Sequence, residues 1–287
     1  MAISLPPTKR VESHREKNSY HLRQRKLTVK TMATLEVHQI PCLSDNYGYL
    51  IHDPETGVTA TIDTPEVAPV NAALAEKGWE LTHILNTHHH FDHAGGNLEL
   101  KKQWNCLIVG SRDDADRIPG IDVKVGDRDT YQFGGHEAQV FDVSGHTIGH
   151  IAYYFPDAEK LFCGDALFAL GCGRLFEGSP AQMWTSLQKL AALPDATGVY
   201  CAHEYTQANA AFALSVEPQN NDLQQRSREI DDLRARGLPT VPSSIGLEKA
   251  TNPFLRPMSK DLQANLNLQG ADLVEVFAET RRRKDSF

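Results

Sequence analysis

The sequence predicts an α+β protein in which a domain of mixed strands and helices is followed by an all-helical domain. Three observations carry this expectation. Apolar or alternating runs of strand length recur from Leu35 to Ala202, helical stretches are interleaved among them, and only helical stretches follow His203. The expected boundaries are 1–32 for a basic extension, 33–204 for the mixed domain and 205–287 for the helical one.

The elements can be justified in order. Leu35 to Ile40 alternates as a half-buried strand does. Tyr47 to His52 and Val58 to Asp63 flank Asp53-Pro54-Glu55-Thr56-Gly57, which is turn chemistry between hairpin strands. Val67 to Trp79 reads as a helix, Leu81 to Asn86 as a short buried strand, Leu98 to Trp104 as a helix and Cys106 to Val109 as a strand. Short strands broken by glycine and aspartate turns fill Asp122 to Val143, and His150 to Phe155 pairs with Lys160 to Cys163 around Pro156-Asp157. Ser179-Pro180-Ala181-Gln182 is a capping box with proline at the first helical position, opening a helix through Leu193. Val199 to Ala202 is the last expected strand. Beyond it, Thr206 to Val216 and Asn220 to Arg236 read as helices, with Gly237 placed to end the second. A proline-bearing loop (Pro239, Pro242, Pro253) leads to closing helices from Ser259 and from Ala271 to about Arg283.

Bulk composition excludes some classes. The 287 residues, 40% hydrophobic and 23% charged, suit an ordinary globular chain. No apolar run approaches the ~18 residues of a membrane span, and a net charge of -8 argues against a nucleic-acid partner. Residues 1–31 hold eight Lys/Arg and two Asp/Glu, a local +6 that leaves -14 on the remainder. This stretch reads as a solvated tail, with Met32 as an alternative start, and it lacks the apolar core of a secretory signal. Its basic character leaves an organellar transit peptide as the alternative to a cytoplasmic location. Cys42, Cys106, Cys163, Cys172 and Cys201 form no Cys-x-x-Cys pair, which points to reduced thiols in a cytosol-like compartment.

The chemistry concentrates in Thr87-His88-His89-His90-Phe91-Asp92-His93-Ala94-Gly95-Gly96-Asn97, directly after the apolar run ending at Leu85. Imidazole and carboxylate are ligands for zinc, iron and similar divalent metals. Residues two apart in extended chain point the same way, so His88 and His90 can share one metal. Asp92 and His93 follow where the chain bends and can face a second. A two-metal site needs further ligands, and the chain offers His146 in a glycine-lined turn, Asp165 just after a strand and His203 at the end of the last strand.

These motifs resemble the metallo-β-lactamase superfamily and, within it, the glyoxalase II (hydroxyacylglutathione hydrolase) family. The matching residues are the 87–97 stretch, Gly145-His146-Thr147-Ile148-Gly149-His150, Gly164-Asp165, Gly171 to Gly178, His203-Glu204-Tyr205-Thr206, Asn252 to Arg256 and Arg281 to Phe287. The resemblance runs from about Leu35 to the C-terminus. It implies a four-layer αββα sandwich, a glutathione-binding helical domain and two divalent metal ions per chain, zinc first, with iron or manganese as alternatives. By the family pattern His88, His90 and His146 bind one metal, Asp92, His93 and His203 the other, and Asp165 bridges both. His89 and His150 are not ligands in that pattern.

The implied reaction is hydrolysis of the S-D-lactoylglutathione thioester to D-lactate and glutathione, in methylglyoxal detoxification. A metal-bridging hydroxide is the implied nucleophile, with Asp165, Asp92 and His93 at the catalytic centre. The expected partner is this small-molecule thioester, with no nucleic acid or membrane, and the protein is expected to be monomeric. Arg174, Phe176, Tyr205, Arg281 and Lys284 match substrate-contacting positions. Arg281 and Lys284, three apart, share a helix face and suit a carboxylate. Without the resemblance, Arg281 to Lys284 would read as a solvated basic helix end. Phe176 stands where many relatives carry tyrosine, which removes a hydroxyl contact of ~0.5–1.5 kcal/mol. The alternative enzyme is a glutathione persulfide dioxygenase with a single iron. The helical domain, the Arg281/Lys284 pair and the complete second ligand set all argue against it. A β-lactamase and a catalytically silent binding protein are weaker readings, since no ligand is lost.

Overall fold

A computed structural model describes residues 35–287, so the basic extension expected for 1–32 lies outside the described residues. In chain order the mixed region carries β1 (Glu36–Cys42), β2 (Asn46–Asp53), β3 (Val58–Ile62), α1 (Val67–Lys77), β4 (His83–Leu85), α2 (Phe91–Ala94), α3 (Asn97–Trp104), β5 (Leu107–Ser111) and β6 (Val123–Val125). These strands form one sheet in the order β1-β2-β3-β4-β5-β6, antiparallel at first and parallel from β3 onward. Next come β7 (Thr130–Phe133), β8 (His136–Asp142), β9 (Ile151–Phe155), β10 (Lys160–Gly164), β11 (Leu167–Phe168), β12 (Gly171–Cys172), α4 (Pro180–Ala191) and β13 (Gly198–Cys201). After them stand α5 (Thr206–Val216), α6 (Asn221–Ala235), β14 (Ser243–Ser244), α7 (Ile245–Thr251), α8 (Lys260–Leu266) and α9 (Leu273–Asp285). The second sheet runs β14-β13-β10-β9-β8-β7, and β11 with β12 makes a separate small hairpin.

Strand alternation builds the layers. Tyr49, Ile51, Leu85 and Val109 turn to the core shared with Phe133, Val140, Tyr153 and Phe162 of the second sheet. Their neighbours Leu50, Ile84 and Ile108 turn the other way, onto Val70 and Leu74 of α1 and Leu100 of α3. Met183 and Leu187 of α4 belong to the same core as the second sheet, as do Phe254 and Phe277 of the helical region. The mixed region is an α+β sandwich of two sheets with helices on both outer faces, followed by a helical domain.

Two expectations fail after His203. Ser243–Ser244 forms a strand antiparallel to β13, too short for any alternation to appear in sequence. The stretch read as loop between Pro242 and Pro253 holds α7, because Ser244 caps it by accepting from the Leu247 N–H, leaving Pro253 to end it. The capping box at Ser179 and Gln182 forms as expected, and Gly237 sits beyond α6 at φ 70°. All five cysteines are buried and free. Among the described residues no helix is long and apolar enough to cross a membrane.

Candidate metal centre

The seven predicted ligands converge at the ends of four strands. Chain leaving β4 carries His88 to His93, chain leaving β8 carries His146, and chain leaving β10 and β13 carries Asp165 and His203. His88 and His90 precede α2, while Asp92 and His93 lie within it. Gly164, at φ 48°, packs so closely on Thr87 that a β-carbon would collide with its side chain. Any other residue there would push Asp165 away from the histidines.

Four of the five rings, all but His90, are oriented by a bond on the far nitrogen. An acceptor-only partner fixes three cases: Nδ1–H of His93 donates to Asp63 at 2.9 Å, that of His203 to Asp45 at 2.9 Å, and that of His146 to the Arg174 carbonyl at 2.8 Å. The Thr87 hydroxyl donates to Asp63 at 2.8 Å, so it receives the Nδ1–H of His88 at 3.0 Å. As neutral rings, all four therefore present a lone pair on Nε2. His88 Nε2 and His146 Nε2 lie 3.1 and 3.2 Å from His90 Nδ1. Tetrahedral nitrogen ligands at ~2.0–2.1 Å from zinc stand ~3.3–3.4 Å apart, so this trio has the spacing of a metal nest.

The second group is built around Asp165. Its Oδ1 lies 3.4 Å from both His93 Nε2 and His203 Nε2, and its Oδ2 lies 3.4 Å from His146 Nε2. Asp92 Oδ2 stands 3.6 Å from the same two nitrogens of His93 and His203 and accepts from Asn46 at 3.0 Å. One carboxylate thus offers an oxygen to each trio. His93 Nε2 and Asp165 Oδ1 are buried with no hydrogen-bond partner in the protein, and burying polar atoms unpaired costs free energy unless something occupies the space between them. The donor set fits two divalent cations.

Electrostatics agree with that fit. Burial and the neighbouring histidines push His88 and His90 below the ordinary imidazole range, and burial pushes His146 down against Asp165. These rings are neutral, as ligands must be. Burial opposes ionisation of Asp165, but His93 and His203 outweigh it and hold the carboxyl well below its usual range.

His150 and His89, outside the two clusters, hold neighbouring groups in place. His150 donates Nδ1–H to the Ile151 carbonyl at 3.1 Å and accepts the Asp165 N–H on Nε2 at 3.0 Å. His89 meets Asp114 at 2.8 Å. Arg117 bonds both Asp114 and Glu177, and Glu177 accepts the Ile148 N–H at 2.7 Å. That chain of bonds anchors the loop carrying Arg174 and Phe176.

The metal nest opens into a cavity of about 560 Å³ that also reaches all five predicted substrate contacts. Tyr205 stacks on His203, with centroids 4.6 Å apart. Phe176 lies edge-on to His146 at 5.2 Å and to His90 at 5.8 Å. Arg281 is buried, donating to the Cys172 carbonyl at 2.8 Å, and Lys284 Nζ sits over the Phe212 and Phe287 rings. Sequence reasoning missed Asp63, Asp45 and Asn46, which orient ligands, and Asp285, which lines the cavity. A carboxylate or amide at a strand end is too common to signal this alone. Only pairing with a specific ring nitrogen identifies it.

Fold and site together define a member of the metallo-beta-lactamase superfamily, whose family profile matches residues 56–203. A profile described as the hydroxyacylglutathione hydrolase C-terminus matches residues 204–287. The chain is 56% identical over 256 residues to the hydroxyacylglutathione hydrolase of Maricaulis maris, covering 89% of this chain and 100% of that one. It is 56% identical over 253 residues to that of Methylococcus capsulatus, covering 88% and 99%. The chain belongs to the hydroxyacylglutathione hydrolase family. Among solved structures, ETHE1 from Myxococcus xanthus matches with TM-score 0.60 at 28% identity, over 88% of this chain and 100% of that one. The BLEG-1 B3 metallo-beta-lactamase matches with TM-score 0.59 at 21% identity, over 77% and 100%, a likeness of fold alone.

Proposed function

We infer that this protein hydrolyses the thioester of S-D-lactoylglutathione to D-lactate and glutathione, serving methylglyoxal detoxification. The observation that carries the reading is Asp165, whose two oxygens face different histidine groups at the floor of a cavity rimmed by Arg174, Arg281 and Lys284. His88, His90 and His146 would hold one ion and Asp92, His93 and His203 the other, with Asp165 shared. Two divalent cations held there supply a water acidified to near neutrality and polarisation of the carbonyl to be attacked. Imidazole with carboxylate suits zinc first, and iron or manganese also.

The chain's own residues do the rest. Asp63 and Asp45 keep the His93 and His203 lone pairs turned inward, and His150 holds the Asp165 backbone. In the metal-free protein Asp165 and Asp92 are both held below the usual carboxylate range; burial opposes this, and a protonated His93 leads the charges that overcome it at each. Arg174, Arg281 and Lys284 attract the tripeptide carboxylates, with Tyr205 and Phe176 as walls between them and the metal nest. The departing thiolate is a good leaving group, so a strong general acid is dispensable. Buried free thiols and the bacterial relatives support a cytoplasmic location, and we read the protein as a monomer without nucleic-acid or membrane partners. The test compares S-D-lactoylglutathione with a lactoyl thioester lacking the tripeptide. Efficient turnover of the first only supports the assignment, and equal turnover of both removes the role of the cationic rim.

A further inference from the structure

The cationic wall of the cavity contains an acid for which the proposed chemistry has no use. Asp285 Oδ1 accepts from Arg281 at 2.9 Å and lies 3.9 Å from Arg174 Nε, and Asp285 lines the same cavity as both. It is the last residue of α9, where the helix dipole disfavours a carboxylate, and its i,i+4 pairing with Arg281 runs in the weaker, cation-first order. Nor is it the only anchor of Arg281. Arg281 is 5% exposed, donates to the Cys172 carbonyl at 2.8 Å, and carries its guanidinium 5.0 Å from the centroid of Phe254. Asp285→Asn keeps an oxygen that can accept from Arg281, so it changes the charge of the cluster more than its shape.

We propose that Asp285 is an internal competitor for the carboxylates of glutathione, weakening the hold of Arg281 and Arg174 so that the product leaves. The inference rests on the glutathione-thioester reading. Hydrolysis breaks only the bond between the acyl carbon and sulfur, so the tripeptide carries the same carboxylates before and after. Contacts to them bind substrate and product alike and contribute nothing to the chemical step. A grip strong enough to retain glutathione would instead make release limiting. An acid built into the cation cluster sets that grip at an intermediate strength.

The experiment measures glutathione binding by calorimetry to the metal-loaded wild type, Asp285→Asn and Glu279→Gln. Glu279 lies on the same helix, is paired with Arg282 and Arg283, and does not line the cavity, so it controls for net charge. For Asp285→Asn the dissociation constant should fall roughly two- to five-fold, the scale of one solvent-exposed ion pair. KM for S-D-lactoylglutathione should fall with it, kcat should not rise, and Glu279→Gln should match the wild type. An unchanged or weaker glutathione affinity in Asp285→Asn overturns the proposal, as does an equal gain in Glu279→Gln. If wild-type protein does not hydrolyse the thioester, the functional reading fails on that measurement, independently of how the variants bind glutathione.

Discussion

Asp63→Asn is the sharpest perturbation of the site that leaves every ligand in place. Asp63 is buried and accepts three bonds, from the Thr87 N–H at 2.8 Å, the Thr87 hydroxyl at 2.8 Å and His93 Nδ1–H at 2.9 Å. An asparagine can keep its carbonyl on the Thr87 N–H, but its amide then faces two donors. The His93 ring resolves the clash by moving its proton to Nε2, the nitrogen that points at Asp165 and Asp92. A protonated Nε2 cannot bind a metal. The lost hydrogen bond to a charged acceptor is worth ~1.5–3 kcal/mol. Bonds that orient a metal-bound ring from behind are worth ~10–100-fold in metal affinity, or about 1.4–2.8 kcal/mol. Both routes give the same range. Metal affinity, read by competition with a chromophoric chelator at fixed pH, should therefore weaken ~10–100-fold. Activity should return in part when metal is added in excess. Wild-type affinity and wild-type kcat in Asp63→Asn would refute the reasoning that Asp63 dictates which nitrogen of His93 faces the site.

Three further outcomes follow from the same geometry. Asp165→Ala and His93→Ala should each abolish hydrolysis and lower bound metal, as read by elemental analysis; full activity at unchanged metal content in either contradicts the site. In the metal-free protein, burial disfavours charge on His93 but Asp165 and Asp63 outweigh it, raising its pKa from 6.5 to about 9. The resulting stabilisation is complete below 6.5 and lost as pH rises through 9, so the melting temperature of metal-free wild type should decline across that window more than that of His93→Gln. Glu177 is held at about 2, against an ordinary 4.5, chiefly by hydrogen bonds from Arg117. Its contribution is present above 4.5 and lost as pH falls through 2, so Glu177→Gln should flatten the melting curve against pH there. The same variant should also raise KM several-fold by loosening the loop that carries Arg174 and Phe176, and an unchanged KM would show that the loop holds its place without Glu177.

Much of this was legible from residue order. The strands of the two main sheets up to Cys201 and the helices α1, α3 and α4 follow from alternation, turn residues and one capping box, because the two sheets bury their faces in the regular way that makes periodicity visible. The 88–93 cluster, with His146, Asp165 and His203 at strand ends, named the residues that the fold gathers. Three kinds of feature stayed hidden. Strand β14 and the β11–β12 hairpin are two residues per strand, too short for a pattern. Partners such as Asp63 and Asp45 are defined by a ring nitrogen distant in sequence. The basic C-terminal helix end, indistinguishable in sequence from a solvated one, separates in the fold into buried Arg281, cavity-lining Lys284 and the outward Arg282 paired with Glu279.

The central claim is a two-metal thioester hydrolase, and stoichiometric reconstitution addresses it most directly. Metal-free protein would be titrated with zinc while S-D-lactoylglutathione hydrolysis, bound metal and dissolved oxygen are followed on the same sample. Activity should reach its plateau only near two ions per chain, with no oxygen uptake. Full turnover at one ion, oxygen consumption with a single iron, or no hydrolysis at full metal loading would contradict that claim.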